Sequence, residues 1–332
     1  IHAFDDPVHA VLALPAARHY AAVAPAAFHA RHMPSHIFVH LGLWPEALRA
    51  NESAWAASQA WIERRHHGIE KRDFHSLSWL ASIALQLGDR RRAEDALQIA
   101  ADTLDKVNAI YARGVYATIA SAILTETGEW RRAEELLRPL ARPLPAPKAP
   151  TAGTAGGGAD CHLKNPGAMP FLLRIEALEG YLRGMGRAAT GDRTAAQKEA
   201  DHLAALRRVL GASTHPEARA TADDIEMEEN HLTALLLAQK GDLDGALQRL
   251  ERSRAIEQKI LPSGPAFTAP ASEVMGELLL AAGRHQAAAA AFTATLQRHP
   301  GRMRSRMGLE QATADKTGPA AGHASPPAPS TP

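Results

Sequence analysis

The sequence predicts an all-α fold in which antiparallel helix pairs stack side by side into a solenoid. Three observations predict it. Glycine followed five residues later by alanine recurs six times, at Gly42/Ala47, Gly88/Ala93, Gly128/Ala133, Gly191/Ala196, Gly241/Ala246 and Gly283/Ala288. Each phrase follows an apolar stretch of helical periodicity, as in "LQLGDRRRAEDALQIA" and "LLAQKGDLDGALQRLE". Hydrophobic residues make up 45% of the chain but aromatics only 5%, so alanine and leucine carry the apolar content and favour close-packed helices.

The physical reading of the phrase is direct. Glycine takes the left-handed conformation that ends a first helix. The small alanine lets a second helix lie close against it. One helix pair of this size cannot bury its own apolar face, so neighbours must stack.

These residues resemble the tetratricopeptide repeat (TPR), a 34-residue helix–turn–helix motif. The last unit carries the resemblance most fully, with Gly276, Ala288, Phe292 and Pro300 at the motif's small, alanine, aromatic and proline positions. The fourth unit departs from it, with Arg183 and Arg187 where apolar residues are expected. Turn glycines are 46, 40, 63, 50 and 42 residues apart, which implies longer helices or extra connections. The resemblance implies a TPR-like right-handed α-solenoid.

Along the chain, "DPVHAVLALPAARHYAAVAP" reads as a second helix without its first-helix partner, with Ala13, Ala17 and Pro25 in the motif's frame. With Ile1 in place of an initiator methionine, this gives the expectation of a fragment of a longer array. Residues 1–138 form N-terminal repeats, the first incomplete. Residues 139–170, rich in proline, glycine and alanine, read as a linker or long loop. Residues 171–315 form the C-terminal repeats, and 316–332 a disordered tail.

Composition excludes several function classes. The 37 basic and 36 acidic residues give a net charge of +1, so there is no electrostatic case for nucleic acid or an anionic membrane. No apolar run approaches the roughly 18 residues of a membrane span. Cys161 is the single cysteine, which rules out an intrachain disulfide and a cysteine-based zinc knuckle. Cytoplasmic and exported locations both stay open.

The candidate site is "HARHMPSHIFVHLGLW", where His29, His32, His36 and His40 stand three, four and four residues apart. That is the stride of one helix face. Pro34 interrupts it, because proline is accepted at the first helical position but not deeper. A helix is therefore expected to start near Pro34, with His29 and His32 on the incoming turn.

In TPR folds the first helix of each repeat lines a concave groove. The resemblance places His29, His32, His36, His40, His75, Ser78, Ser82, Glu228, His231, Glu273 and Glu277 on that inner face. Such a row of hydrogen-bonding groups suits a peptide or protein segment, so the leading expectation is a non-catalytic scaffold or adaptor. The lysine, arginine and asparagine of a TPR carboxylate clamp are missing from this set.

The alternative is a metal-binding or metal-dependent enzymatic protein. Neutral imidazole is a common ligand of zinc and copper, and an i, i+4 pair holds one ion. His32 and His36 have that spacing, with His29 or His75 as a third ligand and His2, Asp5, Asp6 and His9 one repeat upstream. The motif is not the HExxH of a metalloprotease, since Pro34 and Ser35 stand in the way. Packing of the repeat is the third reading of the same histidines.

Other phrases carry less. "MEENH" has a Glu-x-x-His pair, Glu228 and His231, but no matching second pair for a di-iron bundle. Cys161 and His162 are adjacent in the linker, which does not make a catalytic pair. "TAGGGAD" lacks a preceding strand and the P-loop lysine.

Residues 1–64 and 262–310 also resemble a group of bacterial TPR-containing proteins of largely unassigned activity that carry the HxxHMPSHIF motif. The group brings no established reaction to these residues. Its members extend further at the N-terminus, in line with a truncated array.

Overall fold

The computed structural model describes residues 1–107, 110–141, 169–260 and 264–314. Among these the chain is helical, with no β-strand. The N-terminal half carries α1 (Ala10–Val23), α2 (Phe28–His32), α3 (Pro34–His40), α4 (Trp44–Arg65), α5 (Phe74–Gln86), α6 (Arg90–Val107), α7 (Ile110–Thr127) and α8 (Ala133–Leu137). The C-terminal half carries α9 (Met169–Thr190), α10 (Arg193–Gly211), α11 (Pro216–Ala238), α12 (Leu243–Glu257), α13 (Ala271–Ala281), α14 (His285–Arg298) and α15 (Met303–Ala314).

Helices pack in neighbouring pairs along the chain. In addition, α5, α7, α9, α11, α13 and α15 each touch the next in that series, so they form one continuous layer flanked by the others. The turn chemistry explains the pairing. All six turn glycines have positive φ, between 67° and 90°. The six alanines that follow them are each 0% exposed. Aspartates cap four helix starts: Asp73, Asp89, Asp192 and Asp242 accept from the backbone N–H three residues on. In the last unit a Cβ on Gly276 would come 2.7 Å from the Phe292 ring, so that pair requires glycine at this crossing.

The expected helix start is met, since Pro34 occupies the first position of α3. The segment before it is not a turn but a short helix, α2, which carries His29 and His32. The first described helix, α1, buries Ala13 and Ala17. It leaves Val11, Leu12 and Val23 more than half exposed. Arg183 and Arg187, anomalous as apolar positions, reach Glu199 at 3.0 Å and Glu134 at 3.2 Å. Most of the expected linker (142–168) and all of the expected tail lie outside the described residues. Of the linker, Ala141 closes a 3-10 turn and Met169 begins α9. Arg113 on α7 makes a bidentate pair with Glu179 on α9, at 2.7 and 2.8 Å, and joins the elements on either side.

The two ends of the array meet. A Cβ on Gly42 would lie 2.7 Å from the carbonyl oxygen of Pro300. The N–H of Met303 donates to Gln86 Oε1 at 2.9 Å, and Arg304 donates to the Thr125 carbonyl at 2.7 Å. Arg302 sits between Glu126 (2.8 Å) and Glu273 (2.7 Å), all three buried. Ser121 donates to the Phe267 carbonyl at 2.8 Å. The start of α15 and the strap at 264–270 thus fill space beside α5 and α7 that the sequence reading leaves as an open trough.

Candidate metal centre

Three elements bring three imidazoles together. His32 ends α2, His36 lies in the first turn of α3, and His75 lies in the first turn of α5. Pro34 makes this possible. By ending one helix and starting the next, it lets His32 turn towards His36 while keeping the four-residue stride. The Nε2 atoms of His32 and His36 are 3.1 Å apart, and His75 Nε2 is 3.1 Å from that of His32. All three ligand atoms fall within 4.8 Å of one another, the one such group of three among the described residues. His32 and His36 are 1% and 3% exposed, and His75 is half-buried.

The other ring nitrogens fix the tautomers. His32 Nδ1 lies 2.7 Å from Asn51 Oδ1, and Asn51 Nδ2 donates to the Ala47 carbonyl at 2.8 Å. The amide is thereby oriented with its oxygen towards His32, so Nδ1 carries the hydrogen. His36 Nδ1 donates to Asp5 Oδ2 at 2.8 Å. In the neutral rings both Nε2 atoms are then lone pairs, and they face each other. Burial first, then the neighbouring His75 and His36, pushes the His32 pKa well below its ordinary value, so His32 does not take up the proton. A divalent cation satisfies all three rings. Three nitrogens at zinc–nitrogen distance in tetrahedral geometry would stand roughly 3.3 Å apart, close to the 3.1 Å that separates His32 from each of the other two.

Asp5 is the anchor of the outer ring. Burial raises its pKa, but the hydrogen bonds from His36 and His40 outweigh that and hold the carboxyl well below the ordinary range. His40 Nε2 bonds Asp5 Oδ1 at 2.9 Å, so His40 braces the carboxylate and is not part of the triad. Trp79 closes one side, with its ring centroid 4.7 Å from that of His32 and 4.4 Å from that of His36. His29 and His2 stand further out: the His29 ring is 6.3 Å from that of His32, and the His2 ring 6.2 Å from that of His36. Of the proposed ligands His29, His32, His36 and His75, the structure converges the last three.

The remaining expected groove residues are either bonded within the chain or buried in it. Ser78 donates to the His75 carbonyl at 2.8 Å. Glu228 takes a bidentate contact from Arg174, at 3.1 and 2.8 Å. Glu277 accepts from Arg304 at 3.1 Å. Ser82 and Glu273 are fully buried, and Glu273 is held by Arg302. His231 is buried on α11. The physical reason is the return of the start of α15 and the strap at 264–270 against α5 and α7, which covers this part of the inner face.

Sequence reasoning missed Asn51 and Trp79 and gave Asp5 no definite role. A signal for Asn51 was present: Ala47, Asn51, Ala54, Ser58 and Ile62 run down the buried face of α4, so a polar amide sits where an apolar residue packs. No family model, no curated protein and no solved structure matches this chain.

Proposed function

We propose that this chain is a TPR-like right-handed α-solenoid whose first two complete repeats together hold a divalent metal ion, zinc foremost, on His32, His36 and His75. One observation carries the reading. Two buried imidazole lone pairs face each other at 3.1 Å, with their tautomers fixed from behind by Asn51 and Asp5. Such an array costs free energy without a cation and is organised for one. Imidazole nitrogen suits zinc, copper and nickel. Three protein ligands with a fourth position free is the ligand count of zinc sites that do chemistry, where closed structural sites use four. The Asn51 amide behind His32 and the Asp5 carboxylate behind His36 orient those two rings and raise their basicity. The protein would therefore act through a Lewis-acidic ion at the edge of the array.

Recognition of a peptide or protein segment along the inner face is the weaker reading. Glu228, Glu273 and Glu277 already have arginine partners, and Ser82 is covered.

Zinc titration of chelator-treated protein, followed by thermal unfolding, tests the proposal. Binding to the folded state alone adds about 2.7 kcal/mol when free zinc is 100 times Kd. The melting temperature is expected to rise with zinc in the wild type and to stay flat in His32→Ala/His36→Ala. An unchanged wild-type melting curve would remove the reading.

A further inference from the structure

We propose that the cavity beside the triad binds a small organic oxygen-donor ligand. A carboxylate- or hydroxamate-type oxygen would reach the metal, and the rest of the molecule would meet His231. The inference rests on the metal reading above and names what that centre would take.

The cavity has a volume of about 380 Å³. That is within the size range of small-molecule sites. His75 and Trp79 form one wall, so the half-buried edge of the triad opens onto it. His231 and Met227 of α11 line it as well, together with the strap at 264–270. The cavity therefore joins the metal ligands of the N-terminal repeats to a helix of the C-terminal ones.

His231 is the observation that points to a ligand. It is 3% exposed, and neither ring nitrogen has a hydrogen-bond partner. Buried polar groups are nearly always bonded, and one left unbonded weakens the fold. Burial pushes its pKa down to about 4, so the ring is neutral and offers one donor and one acceptor. The charged groups around the cavity are committed elsewhere. Asp224 pairs with Arg174 at 3.8 Å, Glu257 accepts from the N–H of Ala271 at 2.8 Å, and Arg298 donates to the carbonyls of Glu257 and Ile260.

This leaves a largely apolar chamber, with Thr268 and His299 also on its wall, in which His231 is the buried side chain left unbonded and the proposed metal lies at one side. A divalent ion on three neutral imidazoles keeps its full charge, so the fourth ligand it favours is an anionic oxygen. The body of the ligand must be compact and mostly apolar to lie against Trp79, Phe267 and Met227. It must also carry a group that hydrogen-bonds His231.

The test uses the full chain loaded with cobalt(II), whose visible spectrum reports its coordination. Two probes are compared: azide, which needs only the metal, and benzohydroxamate, which must also occupy the chamber. Both are expected to change the spectrum while cobalt stays bound. His231→Leu and, independently, Thr268→Trp, which fills the chamber from the strap, are expected to retain cobalt and azide binding. Each should weaken benzohydroxamate at least about tenfold, His231→Leu by the loss of roughly one hydrogen bond to a buried group and Thr268→Trp by occupying the ligand's space. Cobalt loading without a response to benzohydroxamate would overturn this inference and leave the metal reading standing. So would wild-type benzohydroxamate affinity in both variants. Failure to load cobalt or zinc would overturn both.

Discussion

His32 and Asn51 are joined across 2.7 Å between Nδ1 and Oδ1, and the Asn51 amide is itself pinned to the Ala47 carbonyl one turn back on α4. The pair decides which nitrogen of His32 is bare. Replacing the amide removes that decision without touching a ligand atom. Asn51→Leu is expected to fold and to weaken zinc by about 10- to 100-fold, the usual cost of losing a group behind a ligating histidine. Competition with a chelator of known affinity measures it. Wild-type affinity in the variant would mean that Asn51 does not set the tautomer.

Closure of the array can be tested at two glycines with the same backbone strain. Gly42 has φ of +67° and Gly88 of +76°. Alanine at either meets the left-handed penalty, about 1 kcal/mol. Only at Gly42 would the new methyl also strike Pro300, at 2.7 Å from its carbonyl oxygen; at Gly88 nothing lies within 4 Å. Gly42→Ala is expected to cost about 1–3 kcal/mol more than Gly88→Ala. Equal denaturation midpoints for the two variants would show that the ends do not meet in solution.

Arg302 is buried between Glu126 and Glu273. Burial raises the Glu126 pKa, and Arg302 opposes that rise. Arg302→Met would leave two buried carboxylates with only the more distant Arg304, 3.8 Å from Glu273, to offset them. The expected loss is about 3–5 kcal/mol, as for other broken buried pairs. Arg302→Met combined with Glu126→Gln and Glu273→Gln should recover part of it. If Arg302→Met alone unfolds at the wild-type denaturant midpoint, α15 is not docked by this network.

His231 makes acid stability depend on one side chain. Its pKa falls from 6.5 to about 4 on burial. As pH drops, the unfolded chain takes up this proton first, so stability is lost from about pH 6.5 down to about pH 4 and this contribution is then constant. Glu228, whose carboxyl is raised by burial, acts in the opposite sense, so wild type and His231→Leu must be compared at each pH. The variant is expected to gain on the wild type by up to about 3 kcal/mol across that window. A constant difference from pH 7 to pH 4 would contradict a neutral buried imidazole.

Much of the local structure was legible because the relevant forces are local. The six turn glycines and buried alanines follow from backbone sterics and helix spacing, and Pro34 marks its helix start for the same reason. Half of the site was legible too: the i, i+4 stride brought out His32 and His36, and the inner-face register brought in His75. The rest depended on contacts far apart in sequence. Asp5 reaches His36 over 31 residues, and Gln86 reaches Met303 over 217. Periodicity carries no information about how tightly the array curls, so the covering of Ser82 and Glu273 could not be read from it. Asn51 was hidden for a different reason: a lone amide on an apolar helix face has many uses until its partner is known.

The most direct measurement is the metal content of the purified full chain after equilibration with excess zinc and exhaustive dialysis. The account predicts about one zinc per chain in the wild type and almost none in His32→Ala/His36→Ala, with both proteins helical. A wild-type chain that retains no zinc, copper or nickel after the same treatment would contradict it.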